Sequence, residues 1–183
     1  MRIIAGEYRS RPLSAPKGMS TRPTLDQTRE ALFNILQGRT EGARFLDLYA
    51  GSGAVALEAV SRGASLAVMC DQSRAACACI RQNIRSLGCE DRVRLMEMPD
   101  ARAMELLRRD GERFDLIYLD PPYAMELTGV LAQLAEARLL DEGGLVIAEH
   151  DAKHSPAAPM GMVLSRRKQY RDTVLSFYQW EDA

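Results

Sequence analysis

The sequence predicts an α/β protein built on an open, mostly parallel sheet with helices on both faces. Two observations carry that expectation. From Phe45 onward, short apolar runs of strand length alternate with amphipathic stretches of helix length. The first of these runs also leads directly into a glycine turn and then a helix, as in nucleotide-binding βα units. At 183 residues with 46% apolar content, the chain can bury one full core but not two comfortable ones. A single domain is expected, with residues 1–43 as an N-terminal extension plus helix and 44–183 as the core.

Strands are expected near 44–48, 65–70, 92–97, 114–119 and 143–149. Stretches such as 73–87 and 100–110 are apolar on one side and polar on the other, as crossover helices should be. The string Arg-Leu-Leu-Asp-Glu-Gly-Gly at 138–144 reads as a turn before the fifth strand. Beyond Pro156 and Pro159, the runs 162–168 and 173–180 suggest an antiparallel hairpin at one sheet edge. At the other end of the chain, Arg2-Ile3-Ile4-Ala5 and Arg11-Pro12-Leu13 could form a short hairpin. Thr24-Leu25-Asp26-Gln27 has the form of a capping box, with Leu32, Ile35 and Leu36 as the apolar stripe and Gly38 as the stop.

Charge is unevenly placed although the formal net is −1. Lys and Arg outnumber Asp and Glu 8 to 4 in residues 1–44 and 5 to 3 in 152–183, whereas residues 45–151 carry 11 against 18. An acidic body with basic arms would hold a polyanion mainly through the arms. Nothing approaches the roughly 20 apolar residues of a spanning helix, and only three apolar or small residues separate Arg2 from Gly6, so no signal-peptide core is present. Cys70, Cys77, Cys79 and Cys89 lack metal-chelating or disulfide-framework spacing. A cytoplasmic protein without metal or membrane is expected.

Phe45-Leu46-Asp47-Leu48-Tyr49-Ala50-Gly51-Ser52-Gly53-Ala54-Val55-Ala56 turns a buried strand into a helix through glycines that let a ligand approach. The string also fits the dinucleotide form G-x-G-x-x-A. Asp47 favours S-adenosylmethionine, since an acid before the turn can hold a methionyl ammonium but would repel a pyrophosphate. Asp71, with Gln72, ends the second strand where an acid can accept from ribose hydroxyls in either cofactor class. Asp100-Ala101 occupies a position suited to reading an adenine amine, or equally to capping a helix. The expected cofactor contacts are Asp47, Tyr49, Ala50, Gly51, Ser52, Gly53, Asp71, Gln72, Asp100, Ala101 and Asp120.

Asp120-Pro121-Pro122-Tyr123 follows the apolar run 114–119, at the strand end where open α/β sheets bind ligands. An exocyclic base amine is a poor nucleophile because its lone pair is delocalised into the ring. The Asp120 carboxylate and the Pro121 carbonyl can both accept its hydrogens and relocalise that pair. The prolines rigidify the carbonyl and donate nothing in competition. Tyr123 offers a ring for the base to stack on.

With these motifs in place, the chain resembles the bacterial RsmD family of 16S rRNA (guanine-N2) methyltransferases nearly end to end. The matching pieces are Arg2-Ile3-Ile4-Ala5-Gly6, Thr21-Arg22-Pro23-Thr24, Arg29 to Leu36, Asp47 to Gly53 with Leu57-Glu58-Ala59, Asp120 to Tyr123, and Ala148-Glu149-His150-Asp151. The resemblance implies the seven-stranded Rossmann-like class I methyltransferase fold with a small basic N-terminal extension. It also implies S-adenosylmethionine as cofactor and a guanine of small-subunit rRNA, in an assembled or assembling particle, as target. Arg2, Arg9, Arg11, Arg22 and Arg29 are the expected RNA contacts, and a monomer is expected. Ser10 and Arg171 stand where family members usually have Gly, so the C-terminal hairpin could differ. An adenine-N6 methyltransferase on DNA or RNA, a non-catalytic RNA-binding assembly factor and a nicotinamide oxidoreductase are the rival expectations.

Overall fold

A computed structural model describes residues 1–16, 23–122 and 125–181, with side chains at 23–25 outside the described set. Arg22 and Tyr123, both expected at the site, lie outside the described residues, as does the proposed cap at the Thr24 side chain.

The sheet strands are β1 (Arg44–Asp47), β2 (Leu66–Asp71), β3 (Val93–Glu97), β4 (Phe114–Leu119), β5 (Leu140–Asp151), β6 (Met162–Tyr170) and β7 (Thr173–Trp180). They lie in the order β3-β2-β1-β4-β5-β7-β6. The first five pair in parallel and the last two run antiparallel to their neighbours, so β6 and β7 form the expected hairpin at one edge. Central strands are apolar on both faces because helices cover both. Helices α1 (Pro23–Ile35), α2 (Ala54–Ser61) and α3 (Arg74–Leu87) enclose one core with Phe45, Met69, Leu116 and Ile147. Helices α4 (Asp100–Arg109) and α5 (Leu127–Ala137) enclose the other with Leu46, Val68, Ile117 and Val146.

Two expectations need correction. Strand β5 starts at Leu140 rather than 143, and the expected turn survives inside it as a register shift: Phe114 pairs Leu140, but Leu116 pairs Leu145. Helix α1 starts at Pro23, which places Thr24 in its first turn rather than at its cap. Proline suits that first position because its missing N–H would have no intrahelical partner there.

The N-terminal segment forms its small hairpin, with an Arg2–Pro12 bridge and Ile3 N–H donating to Arg11 O at 3.0 Å. Its apolar residues Ile3, Tyr8 and Leu13 are buried against the α1–α3 face. Helix α2 supplies the polar anchor. The buried Glu58 carboxylate accepts from Ile4 N at 2.8 Å, Ala5 N at 3.0 Å and Arg62 Nε at 2.8 Å. Gly6 passes so close to α2 that a Cβ there would sit 1.8 Å from Ser61 O, so no other residue fits.

Ser10 and Arg171 both have positive φ, 67° and 56°, which explains why glycine suits those positions. Arg171 is the first of the two residues linking β6 and β7, and the hairpin forms around it intact, with Tyr170 paired to Thr173.

Candidate active site

Strand alternation decides which side chains meet. Asp47 and Tyr118 are direct partners across β1 and β4, and both point to the α1–α3 face. Asp120 follows the last residue of β4, near enough to Glu149 and Asp47 for their charges to act on its carboxyl. Glu149, on β5, joins them: Tyr118 Oη donates a hydrogen bond to Glu149 Oε2. Asp71 closes the group at the end of β2.

Asp47 is 1% exposed, and its one hydrogen bond among the described residues is a long one, 3.3 Å from Tyr49 N. Burial, opposed by that bond and reinforced by the charge of Asp71, pushes its carboxyl up to about 7. A buried carboxylate with no cation beside it is suited to receive one from a ligand. Asp71 accepts from Gly51 N and Ser73 N, both at 2.8 Å, and so shapes the glycine turn. Gly53 has φ of 77° and a Cβ there would crowd Met69 Sδ at 3.1 Å. Asn83 braces the turn from α3, donating to Ser52 O at 2.9 Å and to Ser14 O at 3.0 Å.

Asp100 does not cap α4. It is the first residue of that helix, and its carboxylate accepts from Tyr49 Oη at 2.6 Å. Both acids at the strand ends, the Tyr49–Asp100 pair and the open glycine turn fit S-adenosylmethionine: an ammonium for Asp47, ribose hydroxyls for Asp71 and an adenine edge near Asp100. Of the other expected contacts, Ala50, Gly51, Ser52 and Gly53 form the turn, while Gln72 and Ala101 lie exposed beside it. Among the described residues there is no cluster of three or more metal-ligating side chains.

Asp120, Pro121 and Pro122 line a cavity of about 390 Å³ together with Glu149 and His150. Asp120 opens onto that cavity. Desolvation by the surrounding protein, then the charges of Glu149 and Asp47, raise its carboxyl well above the ordinary range. Glu149 is raised by burial, against the bond from Tyr118. Sequence reasoning does not single out Tyr118 and Glu149 as site residues.

The cysteines take no part in this chemistry. All four are buried and free, and burial with neighbouring acids drives Cys70 up to about 12. Cys77 and Cys79 are both covered, because α3 is packed by the sheet on one side and by the N-terminal segment on the other: Cys79 Sγ donates to Ser14 O at 3.1 Å.

The expected RNA contacts separate into two groups. Arg2, Arg9 and Arg11 are exposed. Arg29 is not available to phosphate: it is 4% exposed, donates to Arg2 O at 2.6 Å and Asp26 Oδ1 at 3.0 Å, and lies 3.7 Å from Glu58 Oε2. It is a structural cation that neutralises Glu58.

The family model described as "Conserved hypothetical protein 95" matches residues 1–179. Ribosomal RNA small subunit methyltransferase D of Escherichia coli (strain K12) is 32% identical over 183 residues, covering 99% of this chain and 90% of that one. The chain belongs to the bacterial RsmD family. The RsmD protein of Haemophilus influenzae is 28% identical over 182 residues, covering 98% and 93% of the two chains. A solved structure of a hypothetical protein from Thermus thermophilus superimposes with a TM-score of 0.86 at 31% identity, covering 98% of this chain and 99% of that one. Fold and family agree with the site: this RsmD-family chain is an S-adenosylmethionine-dependent rRNA methyltransferase with a Rossmann-like class I fold.

Proposed function

We propose that this enzyme methylates the exocyclic N2 amine of a guanine in 16S rRNA, within an assembled or assembling small subunit. The observation that carries this reading is the Asp120-Pro121 pair just after β4, lining a cavity, with the buried Asp47 near enough for its charge to act on Asp120 and with no cation beside Asp47 among the described residues. S-adenosylmethionine, when bound, supplies an electrophilic methyl on a sulfonium sulfur and leaves as S-adenosylhomocysteine. Asp47 holds the ammonium end. Asp120 Oδ and the Pro121 carbonyl accept the two hydrogens of the target amine, which draws nitrogen toward tetrahedral geometry and frees its lone pair. After transfer the nitrogen is cationic, and Asp120, with its raised affinity for a proton, takes the one it no longer needs. Tyr123 is proposed as the stacking surface for the base.

Residues 1–43 serve as an RNA-facing extension of one catalytic unit. The cations offered to phosphate are Arg2, Arg9, Arg11 and Arg22 at this end and Arg166, Arg167, Lys168 and Arg171 on the β6 edge. Support comes from their exposure where described: Ser165 to Gln169 is exposed on both sides, and these β6 cations have no ion-pair partner among the described residues. A monomer in the cytoplasm fits the scattered exposed apolar residues, Met125, Met160 and Leu164 among those described, and no described helix is long and apolar enough to cross a membrane.

The test is chemical identification of the product. Undermodified small subunits are incubated with methyl-labelled cofactor, and the RNA is digested to nucleosides. N2-methylguanosine is expected; N6-methyladenosine, or no transfer, would refute the reading.

A further inference from the structure

The carboxylate of Glu149 has no role in binding the cofactor or in relocalising the amine, yet it faces the same cavity as Asp120. Leu119 and Ala148 are paired in register, so Asp120, just past the end of β4, and Glu149 follow as neighbours with their backbones roughly 5 Å apart, and both line the cavity. Tyr118 Oη fixes one oxygen, Oε2, and Oε1 accepts no hydrogen bond among the described residues. Among the described residues no Lys or Arg lines the cavity. Its other acids are engaged: Glu126 accepts from Thr128 N and Gly129 N at the start of α5, and Asp151 accepts from His154 Nδ1 and Lys153 N. His150 also lines the cavity, but its two ring nitrogens are taken up by Ser176 Oγ at 2.8 Å and by Asp151 O. A ligand entering here meets two adjacent acceptors and must bring two adjacent donors.

We infer that Glu149 is the residue that selects guanine, by accepting the ring N1–H beside the amine that Asp120 accepts. This rests on the proposed guanine-N2 reaction and specifies how the site recognises its base. The Watson–Crick edge of guanine places the N2 amine next to N1–H, donor beside donor. Adenine places its N6 amine next to N1, and cytosine its N4 amine next to N3, donor beside acceptor. A ring acceptor set against the Glu149 carboxylate leaves two lone pairs facing each other, a mismatch of the kind by which polar sites reject analogues strongly. The tetrapeptide that serves any base amine is thereby restricted by a residue on the next strand. Holding both carboxylates ionised side by side is unfavourable, and the two guanine donors relieve it. That is consistent with Asp120, whose carboxyl is raised by burial and then by the charge of Glu149.

The experiment uses 2-aminopurine, which keeps the amine at C2 but has a bare lone pair at N1. Small subunits are reconstituted with guanine or 2-aminopurine at the methylated position, and kcat/KM is measured for the wild type, Glu149→Gln and Glu149→Ala. The wild type is expected to prefer guanine by about a hundredfold or more. Glu149→Gln, whose amide can donate to a ring nitrogen, should narrow that preference at least tenfold. Glu149→Ala should lose guanine activity without gaining on 2-aminopurine. Equal use of both bases by the wild type, or an unchanged preference in a Glu149→Gln protein that still binds S-adenosylhomocysteine, overturns the inference. Should Glu149→Gln fail to fold, the wild-type preference decides alone. Failure of the guanine reading itself is distinct: no N2-methylguanosine would then form on the unmodified subunit.

Discussion

Two buried carboxylates on the same face of the sheet have opposite surroundings. Glu58, inside α2, accepts from two backbone N–H groups and from Arg62, with Arg29 behind it. Among the described residues Asp47, at the end of β1, has one long bond from Tyr49 and no cation. The first arrangement is complete without a ligand, and it fixes the N-terminal segment to the core. The second is complete only when something positive arrives. Burial alone therefore does not mark a functional acid; the missing partner does.

Removing the partner set from the first region should have the largest effect on stability. Glu58→Ala leaves the buried Arg29 with Asp26 as its remaining acid and two backbone donors unsatisfied, and a loss of about 3–5 kcal/mol is expected from denaturant midpoints. A change under about 1 kcal/mol would erase the distinction between the two acids.

The converse is expected at Asp47. Its carboxyl, near 7 in the fold against 3.8 when exposed, holds a proton that the unfolded chain has already released between those values. Stability of the ligand-free protein should therefore fall as pH rises from about 4 to 7 and level off above. Asp47→Asn removes that dependence and should melt several degrees above wild type at pH 8, with the gap closing toward pH 4. The same variant should bind S-adenosylhomocysteine about a hundredfold more weakly. Wild-type affinity should fall as pH drops below about 7, by up to tenfold per unit, and the variant should lack that slope. An Asp47→Asn protein less stable than wild type at pH 8 would place Asp47 with Glu58 as a structural acid.

A smaller effect is expected away from both acids. Reversing Arg166 and Lys168 to Glu on the β6 edge should raise KM for small subunits about tenfold and flatten its salt dependence by about two contacts, leaving S-adenosylhomocysteine binding unchanged. An unchanged salt slope would confine RNA binding to the N-terminal end.

Most of the architecture is legible in the sequence because it is written locally. Strand β4 is apolar at every position but Asp115 and is followed by Asp120 and a proline pair, and the glycine turn follows β1 directly. Asp47 stands out as an acid within an apolar strand. Helix α5 is absent from the expected elements although Leu127, Val130, Leu131 and Leu134 have helical spacing; that signal is present in the chain. Arg29 reads as a surface cation since nothing near it in sequence announces Glu58, which reaches it only through the packing of α2 against α1. Glu149 is legible only as part of a family motif. Its meeting with Asp120 depends on the register of β4 against β5, a non-local fact that no spacing along the chain encodes.

The central claim is that Asp120 activates the amine while Asp47 holds the cofactor, and single-turnover methyl transfer by Asp120→Ala tests it most directly. At cofactor concentrations that saturate both proteins, the variant should transfer methyl to undermodified small subunits more than about a thousandfold slower than wild type, a barrier increase of roughly 4 kcal/mol. Its affinity for S-adenosylhomocysteine should stay within about tenfold. Transfer at a rate near wild type would contradict the account.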